Sequence, residues 1–279
     1  MNTNTKDLLA FMVGILDNSV LSPSWTHRWL KPDAFSAAWS GSVGAPWEIY
    51  RVDNQTSDGR IIDLYTKAGG LTTYSSEMAL VPDFDLVMSV LAAGPEVAGA
   101  WPQLAMLNIA DVLIPAMDLA AREEAKSRFA GIYVHKKSGS QLTISLDEGS
   151  GLVLSDWVAR GVKVLSNLNR YTSAGSNGAA QTNMTSIRMY PTGLETNSRA
   201  AWRAVFPAFT DEEAKMIDQS TSLRDASCIT WHLTDKAIYN YLSLDHFEFQ
   251  FGDDGETAVS IKAKGFDIEM VRTPDQPCI

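Results

Sequence analysis

Apolar residues recur with helical spacing in two segments of the chain. In the first, residues 5–16, the leucines, Met12, Val13 and Ile15 follow a helical period after Thr5, whose side chain is suited to cap a helix. The second, residues 101–129, predicts a long amphipathic helix that Pro115 should kink. The pattern therefore predicts one helix near the N-terminus and one near the middle of the chain.

Between these helices, runs rich in β-branched and aromatic residues predict strands. The runs WEIYRV and RIIDLYTK are separated by a polar loop at residues 54–59. The runs TYSSEMALV and LVMSVLAAG are separated by residues 82–85, whose proline and aspartates favour a turn. The segment SPSWTHRWLKPDAFSAAWSGSVGAPW, residues 22–47, is rich in Ser, Pro, Gly and Trp and predicts a long ordered loop.

After Gly131 the pattern changes to short β-like runs separated by turn residues. These runs are GIYVH, QLTISL, GLVLSDWV, SIRMYP, AWRAVFPAF, CITWHL, FEFQF, AVSIKA and FDIEMVR. Their spacing predicts an antiparallel sandwich or barrel, with Phe247, Phe249 and Phe251 on a core-facing side. The chain is thus predicted to be an α+β protein, with a first domain at residues 1–128 and a β-barrel or sandwich domain at residues 129–279.

The composition narrows the possible partners and location. A net charge of −10 over 279 residues disfavours nucleic acid as a partner. No apolar run approaches the ~18 residues of a membrane span, so none is predicted. The polar N-terminus MNTNTKD lacks the features of a secretory signal, which predicts a cytoplasmic protein. Cys228 and Cys278 do not make a disulfide framework, and whether they pair is left open.

Generic catalytic motifs are absent from the sequence. It contains no G-x-S-x-G, H-E-x-x-H, C-x-x-C, P-loop or G-x-G-x-x-G motif. The four histidines are scattered along the chain, so no metal site has local support. Neither a metal nor a cofactor is predicted.

An ordered series of longer motifs carries a family resemblance. KDLLAFMVGILDNSVLSPSWTHRWLKP, GAPWEIYR and DLYTKAGGLTTYSS precede the long helix, and FAGIY, RMYPTGL, CITWHLTD, IYNYLSLDHFEFQF and FDIEMVR follow it. Residues 5–125 resemble the C-terminal part of the fungal branch of the serine β-lactamase and penicillin-binding-protein-like family. Residues 126–279 resemble the β-rich domain appended in that branch. The resemblance implies a truncated β-lactamase-like antiparallel sheet with flanking helices, followed by that β domain.

The resemblance also implies which catalytic motifs are present. Lys67-Ala68-Gly69 stands at the family's lysine motif, on the strand that lines the active site. The family's chemistry further needs the serine of S-x-x-K and a Y/S-x-N motif. No lysine here has a serine three residues earlier, and no Tyr or Ser has an Asn two residues later. The nucleophile half of the fold is therefore expected to lie outside this sequence, and serine acyl-enzyme hydrolysis is not expected.

Several residues are candidates for a site of another kind. Lys67 and Tyr74 are the candidate catalytic residues; Lys67 is either an inherited, solvated strand lysine or a cation or proton donor that faces a new pocket. The candidate ligand-binding residues are polar and aromatic side chains near the lysine motif or at the mouth of a barrel. They are Trp47, Ser75, Trp157, Arg188, Trp231 and His232. For the tryptophans, the alternative is packing in a core.

Three classes of function remain open on the sequence. The first is a non-hydrolytic cyclase or isomerase that acts on a lipophilic small molecule in fungal secondary metabolism. Such an enzyme would hold a reactive conformer and stabilise charge without a covalent nucleophile. The second is a non-catalytic ligand-binding or assembly pseudoenzyme. The third is a hydrolase or acyl-transferase whose nucleophile comes from a partner chain.

The run LVMSVLAAG also predicts an assembly. In the resembled fold, this strand is followed in the sheet by strands that the sequence lacks, so it should present an open edge with apolar side chains. It contains no lysine and no proline. Pairing with its copy in a second chain, to give a six-stranded sheet and a homodimer, is the predicted solution; cover by the N-terminal helix is the alternative.

Overall fold

The computed structural model describes residues 3–95, 101–171, 184–223, 226–228, 234–235 and 237–274. The chain folds as two compact units, Met1–Ala121 and Arg122–Ile279. The division falls inside a long helix, slightly upstream of the predicted boundary between residues 128 and 129. The predicted α+β fold class is confirmed.

The described residues of the first unit form one antiparallel sheet and three α-helices, the last of which continues into the second unit. In chain order, its elements are α1 (Thr5–Leu16), α2 (Pro23–Trp29), β1 (Ala34–Phe35), β2 (Gly41–Val43), β3 (Glu48–Val52), β4 (Ile62–Leu71), β5 (Tyr74–Val81), β6 (Leu86–Ala93) and α3 (Trp101–Phe129). The six strands lie side by side in that same order, so each strand pairs with its neighbour in sequence.

Residues 22–47, predicted to be a loop, instead form α2, β1 and β2. Pro23 begins α2, where its missing N–H costs no helical hydrogen bond. The two short strands exist because β1 pairs with β2, and β2 pairs with β3. The helix cap was also predicted wrongly by one residue: Asn4, not Thr5, caps α1 by accepting a hydrogen bond from the backbone N–H of Asp7 at 3.0 Å.

Each face of the sheet has its own apolar core. On one face, α1 contributes Met12 and Ile15 to a cluster with Trp47, Tyr65 and Leu80. On the other face, α3 contributes Met106, Ala110 and Ile114 to a cluster with residues of β4, β5 and β6. The alternation of side chains along the strands supplies both cores at once.

Helix α3 begins and ends as predicted and contains Pro115, but it is not simply amphipathic. Trp101, Leu104, Val112 and Leu119 are exposed on the side opposite to the buried residues. By length and composition alone α3 could cross a membrane, with a mean hydropathy of 1.6 over 18 residues. The prediction of no membrane span stays a prediction.

The described residues of the second unit form a closed antiparallel barrel and one further α-helix, α4. Its elements are β7 (Gly131–His135), β8 (Ser140–Ser145), β9 (Leu152–Ala159), β10 (Val162–Lys163), β11 (Ser186–Thr196), β12 (Arg199–Val205), α4 (Asp211–Ser220), β13 (Ile238–Tyr239), β14 (Leu242–Ser243), β15 (His246–Phe251), β16 (Ala258–Ala263) and β17 (Ile268–Arg272). The strand order β9-β11-β12-β15-β16-β17-β7-β8 closes on itself through the pairing of β8 with β9. Of the two predicted architectures, the barrel is the one that forms.

The barrel core contains the residues that alternation placed there. Phe247, Phe249 and Phe251 are buried inside, as predicted. The predicted strand at residues 228–233 falls largely outside the described residues. Helix α4 was not predicted, although the segment that begins it carries a recognisable capping box between Thr210 and Glu213.

Candidate functional site

The open feature nearest to the lysine motif is a groove at the end of the β4–β5 hairpin, here called the hairpin groove. It has a volume of about 580 Å³. Its lining residues are Thr3, Gly69, Gly70, Leu71, Tyr74, Ser75, Ser76, Leu91 and Ala92. Two predicted site residues, Tyr74 and Ser75, are thus brought together, and Tyr74 is exposed. The groove combines leucine side chains with the hydroxyl groups of four residues, Thr3, Tyr74, Ser75 and Ser76.

The hairpin that forms this groove is tight. Leu71 pairs with Tyr74 across a two-residue turn, and Thr72 adopts a left-handed φ of 50°. A β-branched residue seldom adopts that conformation, so the turn is locally strained. The hairpin therefore fixes Tyr74 next to the glycines of β4.

Two glycines keep the groove open in different ways. A Cβ at Gly69 would lie 2.6 Å from Oγ of Ser76, whose hydroxyl donates a hydrogen bond to the Gly69 carbonyl at 3.3 Å. A Cβ at Gly70 would meet no atom within 4 Å. Gly69 thus allows close packing on β5, whereas Gly70 leaves empty space that a larger side chain would fill.

Lys67 does not line the groove. Its ammonium group forms an ion pair with the Glu48 carboxylate, and the second oxygen of Glu48 accepts the backbone N–H of Ala68 at 3.3 Å. Glu48 is the first residue of β3 and lies opposite Thr66, so Ala68 on β4 extends beyond the end of β3. The Glu48 carboxylate accepts the Ala68 N–H in place of a backbone carbonyl of β3. The charge of Lys67 is therefore compensated within the sheet.

Glu77 is a buried carboxyl group that the sequence analysis missed. Its side chain lies on β5, only 3% exposed, and its Oε1 has no hydrogen-bond partner among the described residues. Burial raises the pKa of Glu77, and nearby Glu48 raises it further, while a hydrogen bond with Thr66 and the charge of Lys67 lower it. The sequence does carry an indication of this burial. Glu77 stands between Ser75 and Ala79 in the alternating set of β5 residues that share one face of the strand.

Replacing Glu77 by glutamine should change how stability depends on pH. Folding raises the pKa of Glu77. Its contribution to the free energy of unfolding is therefore fully present below the ordinary pKa of 4.5 and is lost as the pH rises through the pKa of the folded state. We therefore expect the free energy of unfolding of Glu77→Gln to rise relative to that of wild type between about pH 4 and pH 7. The gain should reach about 1–3 kcal/mol, because glutamine removes the cost of burying an ionised carboxylate. Thermal denaturation across this pH range measures it.

The matched control is Glu123→Gln on an exposed part of α3. It makes the same chemical change without burial and should leave the pH dependence of stability unaltered. A pH-independent difference between Glu77→Gln and wild type would contradict the assignment.

Trp47 is part of the core below the sheet. It is 1% exposed and packs against Trp29 and Tyr65, with ring centroids 4.9 Å and 6.4 Å away. The structure thus places Trp47 in the α1 cluster and outside the hairpin groove. This position corresponds to the core-packing alternative for the tryptophans.

Two candidate ligand-binding residues of the barrel, Trp157 and Arg188, lie within the described residues, at different places. Trp157 is buried against Phe247 and Phe266 and also borders a cavity of about 330 Å³. Arg188 is not among the lining residues of that cavity and instead forms a bidentate ion pair with Asp147, with Nη2 at 2.8 Å from Oδ2. This hydrogen bonding holds the pKa of Asp147 below its usual range. Trp231 and His232 lie outside the described residues.

Metal ligands do not cluster in the part of the chain that the structure describes, where no group of three or more His, Cys, Asp or Glu side chains could hold an ion. Around the hairpin groove and the lysine motif, the available chemistry is that of hydroxyl groups, the ion pair of Lys67 with Glu48 and the buried carboxyl of Glu77.

Comparison with known proteins identifies the family. Residues 121–274 match the model of the family described as Beta-lactamase-like-like, C-terminal domain. The chain belongs to this family. The resemblance predicted from the sequence motifs is confirmed.

The curated relatives are fungal proteins of greater length. A Beta-lactamase-like protein from Arthroderma benhamiae is 25% identical over 281 residues, covering 93% of this chain and 46% of that protein. A Probable hydrolase M10 from a Phoma species is 28% identical over 182 residues, covering 64% of this chain and 30% of that protein. The chain thus spans less than half the length of these relatives.

Among solved structures, the octameric penicillin-binding protein homologue from Pyrococcus abyssi is similar at 14% identity. The match covers 95% of this chain and 46% of that one, with a TM-score of 0.32. At that score, the likeness adds no argument about function.

Proposed function

We propose that this β-lactamase-like chain binds a lipophilic small molecule in the hairpin groove and acts on it as a non-hydrolytic cyclase or isomerase. The observation that carries the proposal is the groove itself, where the side chains of Leu71 and Leu91 lie beside the hydroxyls of Tyr74, Ser75 and Ser76. Mixed apolar and polar linings of this kind are typical of small-molecule sites. The predicted place in fungal secondary metabolism and the cytoplasmic location belong to the same proposal and rest on the sequence.

The proposed chemistry uses positioning rather than a covalent intermediate. Apolar walls would select a folded conformer of the ligand, and a hydroxyl donor would stabilise negative charge as it develops on a ligand oxygen. Tyr74 is the candidate donor because its exposed phenol lies at the groove. No metal or cofactor is required for these two roles.

The serines of the groove lack the partner that a nucleophile needs. Ser76 donates its hydrogen bond to the carbonyl of Gly69. In the described parts of the chain, no hydrogen bond joins Ser75 or Ser76 to a histidine, a lysine or a carboxylate. A serine hydroxyl without an adjacent base is a weak nucleophile. This supports the non-hydrolytic part of the proposal.

A second candidate function is ligand binding without turnover. The ion pair between Lys67 and Glu48 favours it, because the motif lysine is then occupied in holding β3 to β4. Both candidates use the same groove. They differ in whether the bound molecule is recovered unchanged.

An unbiased ligand search tests the proposal. The purified chain is incubated with a fungal metabolite extract, and native mass spectrometry identifies what remains bound and whether its structure changes with time. A bound lipophilic molecule that is rearranged without gaining water supports the cyclase or isomerase; one that stays unchanged supports the binder. Absence of any bound small molecule contradicts both.

We expect the chain to be inactive toward acyl substrates. It should hydrolyse neither nitrocefin nor p-nitrophenyl esters above the rate in buffer, and a fluorescent penicillin should leave it unlabelled, because the sequence contains no S-x-x-K serine. A serine β-lactamase serves as the positive control. Stoichiometric labelling of a serine would instead favour a hydrolase.

A further inference from the structure

Three tight turns of the second unit meet around one cavity, here called the turn cavity. The turn after β9 contributes Arg160, the turn after β13 contributes Asn240, and the turn after β16 contributes Asp267. The rings of Tyr239 and Phe266 form an apolar wall. The cavity has a volume of about 520 Å³, which is in the range of about 300–1,000 Å³ typical of sites for one small molecule. It shares no lining residue with the hairpin groove.

The turn after β9 carries an arginine at a position that favours other residues. Ala159 pairs with Val162, so the turn consists of Arg160 and Gly161, whose φ angles are 50° and 80°. Two-residue hairpin turns with positive φ at both positions favour Asn, Asp or Gly at the first and Gly at the second. Gly161 fits this preference, whereas the left-handed backbone of Arg160 is strained. The requirements of the turn therefore do not explain the arginine.

The turn after β13 has the same geometry and a similar exception. Tyr239 pairs with Leu242 across Asn240 and Tyr241, whose φ angles are 50° and 64°. Asn240 fits the first position, but Tyr241 occupies the position that favours glycine. Because Tyr241 is 98% exposed, its ring does not serve the core either. Strained residues that the fold does not need cluster at ligand-binding sites.

The aromatic wall of the turn cavity is held in place from behind. Tyr239 packs against Phe266 and Tyr171, with ring centroids 5.0 Å and 6.0 Å away. Phe266 in turn packs against Trp157 in the barrel core, at 5.7 Å. Tyr239 nevertheless stays 39% exposed. Its ring is therefore a supported surface on which a planar molecule can stack.

The charge of Arg160 is free to act on a ligand. Its Nη2 donates one long hydrogen bond, 3.5 Å, to the carbonyl of Phe266, and its backbone N–H donates to Oγ of Ser140 at 2.9 Å. Among the described residues, no carboxylate forms an ion pair with its guanidinium. Asp267, which also lines the cavity, is paired with Lys262 at 2.6 Å. Most of the five N–H donors of the guanidinium therefore remain available.

We propose that the turn cavity binds a small planar aromatic carboxylate. The guanidinium of Arg160 holds the carboxylate, whose geometry it matches with two parallel hydrogen bonds, and the aromatic body stacks on Tyr239. The exposed ring of Tyr241 at the rim covers the bound molecule. A phosphate monoester, with nearly two negative charges, fits less well, because it would meet one arginine and the nearby carboxylate of Asp267. The proposal is independent of any ligand in the hairpin groove.

Titration of the full chain with cinnamate, followed by ligand-observed NMR, tests the proposal. Cinnamate should bind at least about 10-fold more tightly than cinnamamide, its uncharged counterpart. Arg160→Asn should weaken cinnamate binding about 10- to 100-fold. The matched control is Arg199→Asn, which removes an exposed guanidinium that does not line the cavity and should bind as wild type does. Gly70→Leu, which fills the hairpin groove, should also leave cinnamate binding unchanged.

Thermal denaturation separates a role in binding from a role in folding. Arg160→Asn and Tyr241→Gly each introduce the residue that the turn favours, so each should raise the melting temperature of the barrel by about 2–4 °C. Both should nevertheless weaken cinnamate binding. Residues that serve the fold alone would show the opposite, a lower melting temperature with unchanged binding.

Each contrary result overturns the proposal. Absence of cinnamate binding at millimolar concentration excludes the site. Equal binding of cinnamate and cinnamamide excludes recognition of the carboxylate. Unchanged binding by Arg160→Asn places the carboxylate elsewhere, and a simultaneous loss in Gly70→Leu would place it in the hairpin groove.

Discussion

Replacing Phe249 by alanine should lower the free energy of unfolding of the barrel by about 3–5 kcal/mol, as expected when a buried aromatic side chain leaves a cavity. Phe249 is fully buried on β15, with ring centroids 4.9 Å from Phe129, 5.8 Å from Trp202 and 6.1 Å from Tyr133. Its loss removes contacts with three rings at once, and the closed barrel has little room to collapse around the gap. Urea denaturation of the full chain, followed by circular dichroism, measures the effect.

Tyr241→Ala is the control for this substitution. Tyr241 is 98% exposed, so removing its ring should change the free energy of unfolding by no more than about 0.5 kcal/mol. Equal losses in the two variants would contradict the placement of Phe249 at the centre of the barrel core.

The barrel was predictable because its strands carry a strict alternation. In β15, three phenylalanines alternate with His246, Glu248 and Gln250, and only one face of such a strand can be buried. Alternation alone could not distinguish a sandwich from a barrel. That choice depends on whether β8 also pairs with β9, a contact between strands that no local pattern records.

The elements that were missed are short or depend on distant partners. Strands β1 and β2 have two and three residues, too few for a period to appear, and they form because β3 offers an edge. Helix α4 was overlooked for a different reason. Its apolar residues are few, so its hydrophobic periodicity is weak, and the capping box at Thr210 and Glu213 is the main sign of the helix in the sequence.

The candidate site was predictable in part. The glycines after Lys67 marked the hairpin, and Tyr74 and Ser75 do line its groove. The ion pair of Lys67 with Glu48 was not predictable from sequence, because it joins residues on two strands whose register is set by tertiary structure. For the same reason, the burial of Trp47 and the unpaired oxygen of Glu77 appear only in the fold.

Gly70→Leu should abolish most ligand binding in the hairpin groove while leaving the fold intact. A Cβ at Gly70 meets no atom within 4 Å, and the backbone there is not left-handed, so the new side chain enters open space without strain. That space belongs to the groove, so a bound ligand would clash with the leucine side chain. The overpacking should cost about 1–3 kcal/mol of binding free energy. Binding should therefore fall about 10- to 100-fold.

Native mass spectrometry of the molecule bound by wild type, titrated against both proteins, measures this loss. The matched control is Ala68→Leu, which adds a larger side chain at an exposed position of the same strand that does not line the groove. Ala68→Leu should bind as wild type does. Both variants should keep their melting temperature, because Gly70→Leu replaces a flexible strand glycine that faces open space and Ala68→Leu adds its side chain at an exposed position. Unchanged binding by a folded Gly70→Leu would move the ligand away from the hairpin groove. The cavity beside Trp157 in the barrel would then be the next site to block.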